Sequence, residues 1–310
     1  MRLCGPEKGA MMMEKVNTGK LTEIHEKKST KTGGKPEQEE KNMTGILGWM
    51  NPEEYSFDCM LRMERFQIRW ILENPKAEAK EALAVALKAN PKVAWYFTQK
   101  CPELADRVDE LLAQAPEGLT PEQIRMAEVR ALGEYEDFVI YTTPEVMEEK
   151  CDFIYGWNKE RLYELADLEG KTALDVGSGT GRLAFAAAER AAFVVASEPV
   201  DSLREFMRDE IARKGIRNMR VCDGLCDSLP FPDNTFDVVM SGHVVGDRFR
   251  EEVDELTRIT KDGGWLLDVP GDQHRKTRRN EQLIADGWEK LAYAGTFGET
   301  TYRYRKQVRK

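Results

Sequence analysis

From residue 172 to the C-terminus, short apolar runs alternate with longer stretches whose apolar residues recur every three or four positions. The runs fall at 172–176, 193–197, 219–222, 236–240 and 265–269, and the stretches at 181–190, 201–214 and 249–260. Short continuous apolar runs predict buried strands, and the longer spacing predicts helices with one buried face. Repeated strand–helix units build a mostly parallel sheet with right-handed crossovers, an α/β fold of the doubly wound, Rossmann-like type. The turn Asp262-Gly263-Gly264 introduces the fifth run. A polar helix is expected over 275–286, and alternating strands over 288–293 and 300–308, around Gly295 and Gly298.

Residues 43 to about 150 carry no strand pattern and read as helices only. Pro52 opens the first, with Phe57, Met60, Leu61, Phe66, Ile68 and Ile71 on its apolar face, and Asn74-Pro75 stops it. Strong helix formers over 77–89 make a second, with Leu83, Ala84 and Leu87 at helical spacing. A third reaches about residue 100 and a fourth covers 103–113. Thr120-Pro121-Glu122-Gln123 has the form of a capping box with proline at the first helical position, and Thr143-Pro144-Glu145 repeats that start signal. Trp95, Tyr96 and Phe97 are expected to supply core rather than a pocket wall. Residues 145–168 form a bridging helical stretch, with Phe153, Ile154, Tyr155 and Trp157 ahead of Leu162, Leu165 and Leu168. Residues 1–42 are polar and cannot bury enough surface to offset the entropy of ordering, so a tail is expected there. The domain organisation is thus a tail (1–42), an all-helical domain (43–150) and an α/β domain (151–310).

Composition changes this picture little. The chain has 310 residues and a net charge of −9, which speaks against a general nucleic-acid coat. Its six cysteines include no C-x-x-C pair, and Cys222 and Cys226 have no histidine at zinc spacing, so reduced thiols and no metal site are expected. No run approaches a membrane span, and Met11-Met12-Met13 is too short for a signal-peptide core. The expectation is a cytoplasmic protein; no oligomeric state follows from the pattern.

The candidate chemistry sits where the first strand ends. Residues 172–187 read TALDVGSGTGRLAFAA: a strand, a glycine turn and a helix. A dinucleotide fingerprint needs glycine three places after Gly179, but that place is Arg182, and glycine comes one residue early at Gly181. Asp175 lies two residues before Gly177. The resulting D-x-G-x-G-x-G pattern resembles the cofactor loop of the class I S-adenosylmethionine-dependent methyltransferases, small-molecule type. The rest of the unit follows in order. Glu198 ends the second strand about twenty residues on. Asp223 ends the third, and LPFPDNTFDVVMSGH leads through the fourth.

The resemblance covers about residues 150–310 and implies a seven-stranded sheet closed by an antiparallel hairpin. It implies that the turn receives the methionine end of S-adenosylmethionine, that Glu198 meets the ribose hydroxyls and that Asp223 meets the adenine. The wider gap between Asp223 and Leu229 leaves Asp227 as an alternative for the adenine. Ser178, Pro199, Gly224 and Ser241 fall at the same strand ends and are expected in the cofactor site with Asp175, Gly177, Gly179 and Gly181. The helical domain is expected to be a substrate-selecting cap, or else an oligomerisation or partner module. Tyr155 and Asn158 are candidates for closing over the cofactor.

Methyl transfer from a sulfonium needs an in-line nucleophile, and a base only where the acceptor must lose a proton. His243, directly after the fourth strand, is the base candidate, with Asp247 four residues on to orient it. His25 lies in the tail and His274 in a basic segment. That segment (Arg275, Lys276, Arg278, Arg279), with Arg303, Arg305, Lys306 and Arg309, is the one sign of an anionic substrate. The leading expectation is methyl transfer to a small molecule. The alternatives are an RNA or protein methyltransferase using the basic cluster, and a non-catalytic cofactor-binding module.

Overall fold

Seven strands pair into one sheet: β1 (Thr172–Val176), β2 (Phe193–Ser197), β3 (Met219–Cys222), β4 (Phe236–Ser241), β5 (Thr260–Asp268), β6 (Glu289–Ala294) and β7 (Thr300–Gln307). Their order is β3-β2-β1-β4-β5-β7-β6. The computed structural model describes residues 48–310 except 78, 152–153, 155–156, 243, 247, 272–277 and 296–299. Strands β1 to β5 pair in parallel, while β7 runs antiparallel between β5 and β6. The chain leaves β1 toward β2 on one side and reaches β4 on the other, so the order reverses between β1 and β4. Such a switch point opens a crevice at the strand C-termini.

The central strands β1, β2 and β4 are buried on both faces because helices cover both. Ala173, Val194, Ala196 and Met240 enter one core cluster, and Leu174, Val195, Val239 and Leu266 enter the other. The covering helices are α9 (Arg182–Ala188), α10 (Asp201–Lys214), α11 (Phe249–Ile259) and α12 (Arg278–Ala285) in the α/β part. Strand β5 starts at Thr260, earlier than its apolar run. Asp262-Gly263-Gly264 is carried within the strand as an irregularity, with the pairing shifting between Phe236 and Val238 and Gly263 at φ 77°.

Before β1 the described residues are helical, in α1 (Arg65–Glu73), α2 (Lys80–Ala89), α3 (Pro91–Lys100), α4 (Ala105–Gln114), α5 (Pro121–Glu134), α6 (Glu136–Val139), α7 (Pro144–Lys150) and α8 (Glu160–Tyr163). The single helix expected from Pro52 to Asn74 is instead two 3-10 turns, Pro52–Glu54 and Phe57–Arg62, followed by α1. Asn51 and Ser56 each accept a backbone N–H with their side chains, which restarts the chain twice. Glu64 and Gln67 then cap α1 reciprocally. The Thr120–Gln123 capping box forms as expected. Within Trp95-Tyr96-Phe97, Phe97 is fully buried while Trp95 is 63% exposed.

The helical residues share a core with the α/β part. Val200 and Leu203, at the start of α10, pack in the same cluster as Ile68, Tyr135 and Met147. Ser202 Oγ donates to the Tyr141 carbonyl at 2.8 Å, and the Asp201 N–H donates to Glu64 at 3.2 Å. Among the described residues no helix is long and apolar enough to cross a membrane.

Candidate active site

The turn after β1 is shaped by contact as much as by conformation. Gly177 and Gly179 have φ of 63° and 58°, which side chains rarely adopt. A Cβ on Gly177 would stand 2.4 Å from a Val244 methyl, so the backbone approaches the post-β4 loop as only glycine permits. The Gly179 N–H donates to Glu198 Oε2 at 2.8 Å, and the Val200 N–H donates to Glu198 Oε1 at 2.9 Å. Asp175 Oδ2 accepts the Ala184 N–H at 3.0 Å, and Ser178 Oγ donates to the Asp175 carbonyl at 2.9 Å. Both carboxylates are buried, at 1% exposure for Asp175 and 4% for Glu198. Burial pushes each up to about 7, against the lowering effect of those backbone donors and, for Asp175, of Arg182.

These groups form the floor of a cavity of about 890 Å³. Asp175, Gly177, Ser178, Gly179, Glu198 and Pro199 border it, and so does Gly224. Three expected residues do not. Gly181 caps α9 and faces Phe185 and Met207. Ser241 is buried at 1% exposure, and it is the neighbouring Gly242 that borders the cavity. The Asp223 carboxylate is 74% exposed and turns to Arg204 at 3.3 Å. The loop after β3 folds back through a Leu225–Ser228 bridge, and this brings Asp227 to the cavity instead, paired with Arg248 at 2.5 Å. His243, Asp247, Tyr155, His25, His274 and the tail lie outside the described residues. Asn158 does not border this cavity. Arg204 ties the two loops together: its guanidinium donates to the carbonyls of Glu198 and Pro199 at 2.8 and 2.7 Å, as well as to Asp223.

The opposite wall comes from the helical segment, and the sequence reading passed it over. Phe66, Arg69, Trp70 and Glu73 lie on one face of α1, and Phe138 and Tyr141 adjoin them. The signal was present in α1. Gln67, Ile68, Ile71 and Leu72 take its buried face, so Phe66 and Trp70, four apart, make a second, half-buried aromatic face that packs on the core and also borders the cavity. Two basic residues of β7 are engaged elsewhere: Arg305 pairs with Glu289 at 2.7 Å and Lys306 with Asp286 at 2.8 Å, and neither borders the cavity. Among the described residues no cluster of three or more His, Cys, Asp or Glu is placed to hold a metal.

The residues present fit S-adenosylmethionine. A glycine turn that a Cβ would close, two buried carboxylates facing a space for a cationic ligand, and the buried Thr180 hydroxyl, without a hydrogen-bond partner among the described residues, all border one cavity. Residues 174–268 match the family model described as "Methyltransferase domain". Over those residues the chain matches a methyltransferase domain, and its sheet order and glycine turn fit the class I S-adenosylmethionine-dependent pattern that the sequence resembles.

The chain is 33% identical over 98 residues to an uncharacterized methyltransferase, YcgJ, of Bacillus subtilis, a match covering 30% of this chain and 38% of that protein. It is 29% identical over 113 residues to the demethylmenaquinone methyltransferase of Geobacillus stearothermophilus, covering 35% and 48%. The chain therefore spans less than half the length of these relatives. A solved S-adenosylmethionine-dependent methyltransferase from Aquifex aeolicus aligns with 49% of this chain and 90% of its own, at 18% identity and a TM-score of 0.42.

Proposed function

We propose that this protein transfers a methyl group to a small-molecule acceptor held between the sheet's C-terminal edge and the helical segment 43–150, which serves as a substrate-selecting cap. The observation that carries the reading is continuity: one cavity runs from the glycine turn and Glu198 to aromatic side chains of the helical segment. Its volume of about 890 Å³ is near the upper end for ligand pockets. That leaves room for an acceptor beside a cofactor.

S-adenosylmethionine, when bound, supplies a methyl group activated by its sulfonium charge. The chain's own residues bind, orient and exclude water. Gly177 and Gly179 let the ligand approach the backbone, and the carboxylates of Asp175 and Glu198 oppose its positive charge. Glu198 uses both oxygens on backbone donors yet keeps lone pairs for ribose hydroxyls, and Asp227 replaces Asp223 on the adenine side. Holding two reactants in line is worth about 7–11 kcal/mol of barrier, so positioning by the cap is the main catalytic device. His243, with Asp247 orienting it, takes the acceptor's proton where the acceptor carries one. Arg305 and Lys306 of β7 are paired with carboxylates and do not border the cavity, which favours a small acceptor over RNA or an acidic protein.

Calorimetry tests the cofactor site. The full chain should bind S-adenosylhomocysteine and S-adenosylmethionine, and Gly179→Arg and Glu198→Ala should each weaken binding at least about tenfold, the loss of one charge-assisted contact or more. Wild-type affinity in both variants would remove this site. His243→Ala should lower turnover by about 10²–10⁴-fold with cofactor affinity held, for an acceptor that loses a proton; unchanged turnover would remove it as the base.

A further inference from the structure

We infer that the acceptor is a flat, uncharged ring system, bound against an aromatic wall made by Trp49, Phe66, Trp70, Phe138 and Tyr141. This inference rests on the reading above and names the substrate class of the same cavity.

All five rings border the cavity, and all five are half-buried, packed on the helical core. They come from three separate places in the chain: the segment before the first 3-10 turn, α1, and the stretch around α6. None belongs to the α/β part that carries the cofactor turn. Trp70 and Phe138 already meet edge to face, with centroids 5.2 Å apart and planes at 75°. Aromatic rings in such arrangements favour a further ring, beyond simple area burial.

The wall is held in place by polar groups whose hydrogen bonds are made within the protein. Buried Glu136, 1% exposed, accepts the N–H groups of Trp49 and Met50 through one oxygen at 2.6 and 2.8 Å. This fixes the Trp49 backbone across 87 residues of sequence. Ser202 holds the Tyr141 carbonyl in the same way.

Charge decides the rest. The cap's charged residues at the cavity are Arg69 and Glu73, and they pair with each other at 2.9 Å. Across the cavity, Arg248 pairs with Asp227. Glu252 accepts the N–H groups of Gly246 and Arg248, and Arg182 donates to the Val269 carbonyl and stacks on Trp157 at 4.7 Å. Asp175 and Glu198 stand on the floor, at the glycine turn. At the aromatic wall the charged side chains are Arg69 and Glu73, which already pair with each other, so a charged acceptor there competes with that pair for its counter-ion, whereas a neutral flat ring meets the rings directly.

The test uses the full chain loaded with S-adenosylhomocysteine and three probes of similar size, followed by calorimetry: 2-naphthol, its saturated analogue decahydro-2-naphthol, and 2-naphthoate. 2-Naphthol should bind at least about fivefold more tightly than either of the others, the factor a ring–ring contact supplies. Trp70→Ala should weaken 2-naphthol by about tenfold and leave S-adenosylhomocysteine within about twofold, while Trp70→Phe should retain most of the probe affinity. Phe66→Leu is the second variant, for use if Trp70→Ala unfolds; it should reduce the preference for the flat probe over the saturated one.

Equal binding of the flat and saturated probes, or tighter binding of naphthoate, overturns the inference. So does a Trp70→Ala or Phe66→Leu variant that loses S-adenosylhomocysteine as much as 2-naphthol, because the rings would then belong to the nucleoside. If the wild-type protein fails to bind S-adenosylhomocysteine at all, the methyltransferase reading itself falls, an outcome separate from these.

Discussion

Glu198 concentrates the physics of the site in one side chain. It is buried, both its oxygens accept backbone N–H groups, and burial still pushes it up to about 7 from 4.5. Asp175 moves in the same direction, up to about 7 from 3.8, again through burial. An acid raised in the folded state keeps a proton that the unfolded chain has released. Its contribution to stability is therefore greatest below about pH 4 and falls as pH rises toward 7. Glu198→Gln, which never ionises, should be more stable than wild type at pH 8 by up to about 3 kcal/mol and lose that advantage by pH 4. The ligand-free difference in Tm, measured across that range, isolates this effect from Asp237 and Glu255, which are lowered and act in the opposite sense. A difference that does not change with pH would show that Glu198 titrates normally. The glycine turn and Glu198 were legible in the sequence because each is local to one strand end. Asp227 was legible only as an alternative, since its place depends on the loop folding back and on Arg248, 21 residues away.

At the scale of elements, what the sequence conveys depends on whether the stop and start signals are side-chain or tertiary. Strands β1 to β4 are apolar runs bounded by turns, so their limits could be read almost residue by residue, whereas β5 begins at Thr260 and carries the expected turn Asp262-Gly263-Gly264 within the strand. The region from Pro52 to Glu73 could not, because Asn51, Ser56 and Glu64 each interrupt an apolar pattern that looks unbroken at helical spacing. The two Thr-Pro starts show the same point in energetic form. Thr120 Oγ1 accepts the Gln123 N–H at 3.3 Å and the Gln123 side chain accepts the Thr120 N–H at 2.8 Å. Thr143 makes no side-chain cap bond to α7 despite the same Thr-Pro-Glu signature. Thr120→Ala should cost about 1 kcal/mol and Thr143→Ala less than half of that, read by urea denaturation. Equal losses would mean that the proline, and not the cap, sets these helix starts.

For the molecule as a whole, the question is whether the helical segment and the α/β part act as one body. The sequence suggested a boundary near residue 150 because the pattern changes from helix-only to alternating units, and that partition remains a proposal. The packing across it is substantial. Val200, which precedes α10, and Leu203 within it lie in the helical cluster and also border the cavity, Ser202 and Asp201 bond to Tyr141 and Glu64, and Met147 comes within 3.3 Å of where a Gly179 Cβ would be. This is why the aromatic wall was illegible beforehand: its rings become a wall only when α10 seats the helices over the strand ends. Leu203 is 1% exposed at that junction, so Leu203→Ala should cost about 2–5 kcal/mol. Wild-type heating should give a single transition by calorimetry, raised by S-adenosylhomocysteine at 100 times its Kd by the equivalent of about 2.7 kcal/mol. If the junction couples the two parts, Leu203→Ala lowers that single transition and weakens the ligand together. If the variant instead splits the trace in two, with ligand shifting the upper transition alone, the helices are an independent domain that meets the site without supporting it.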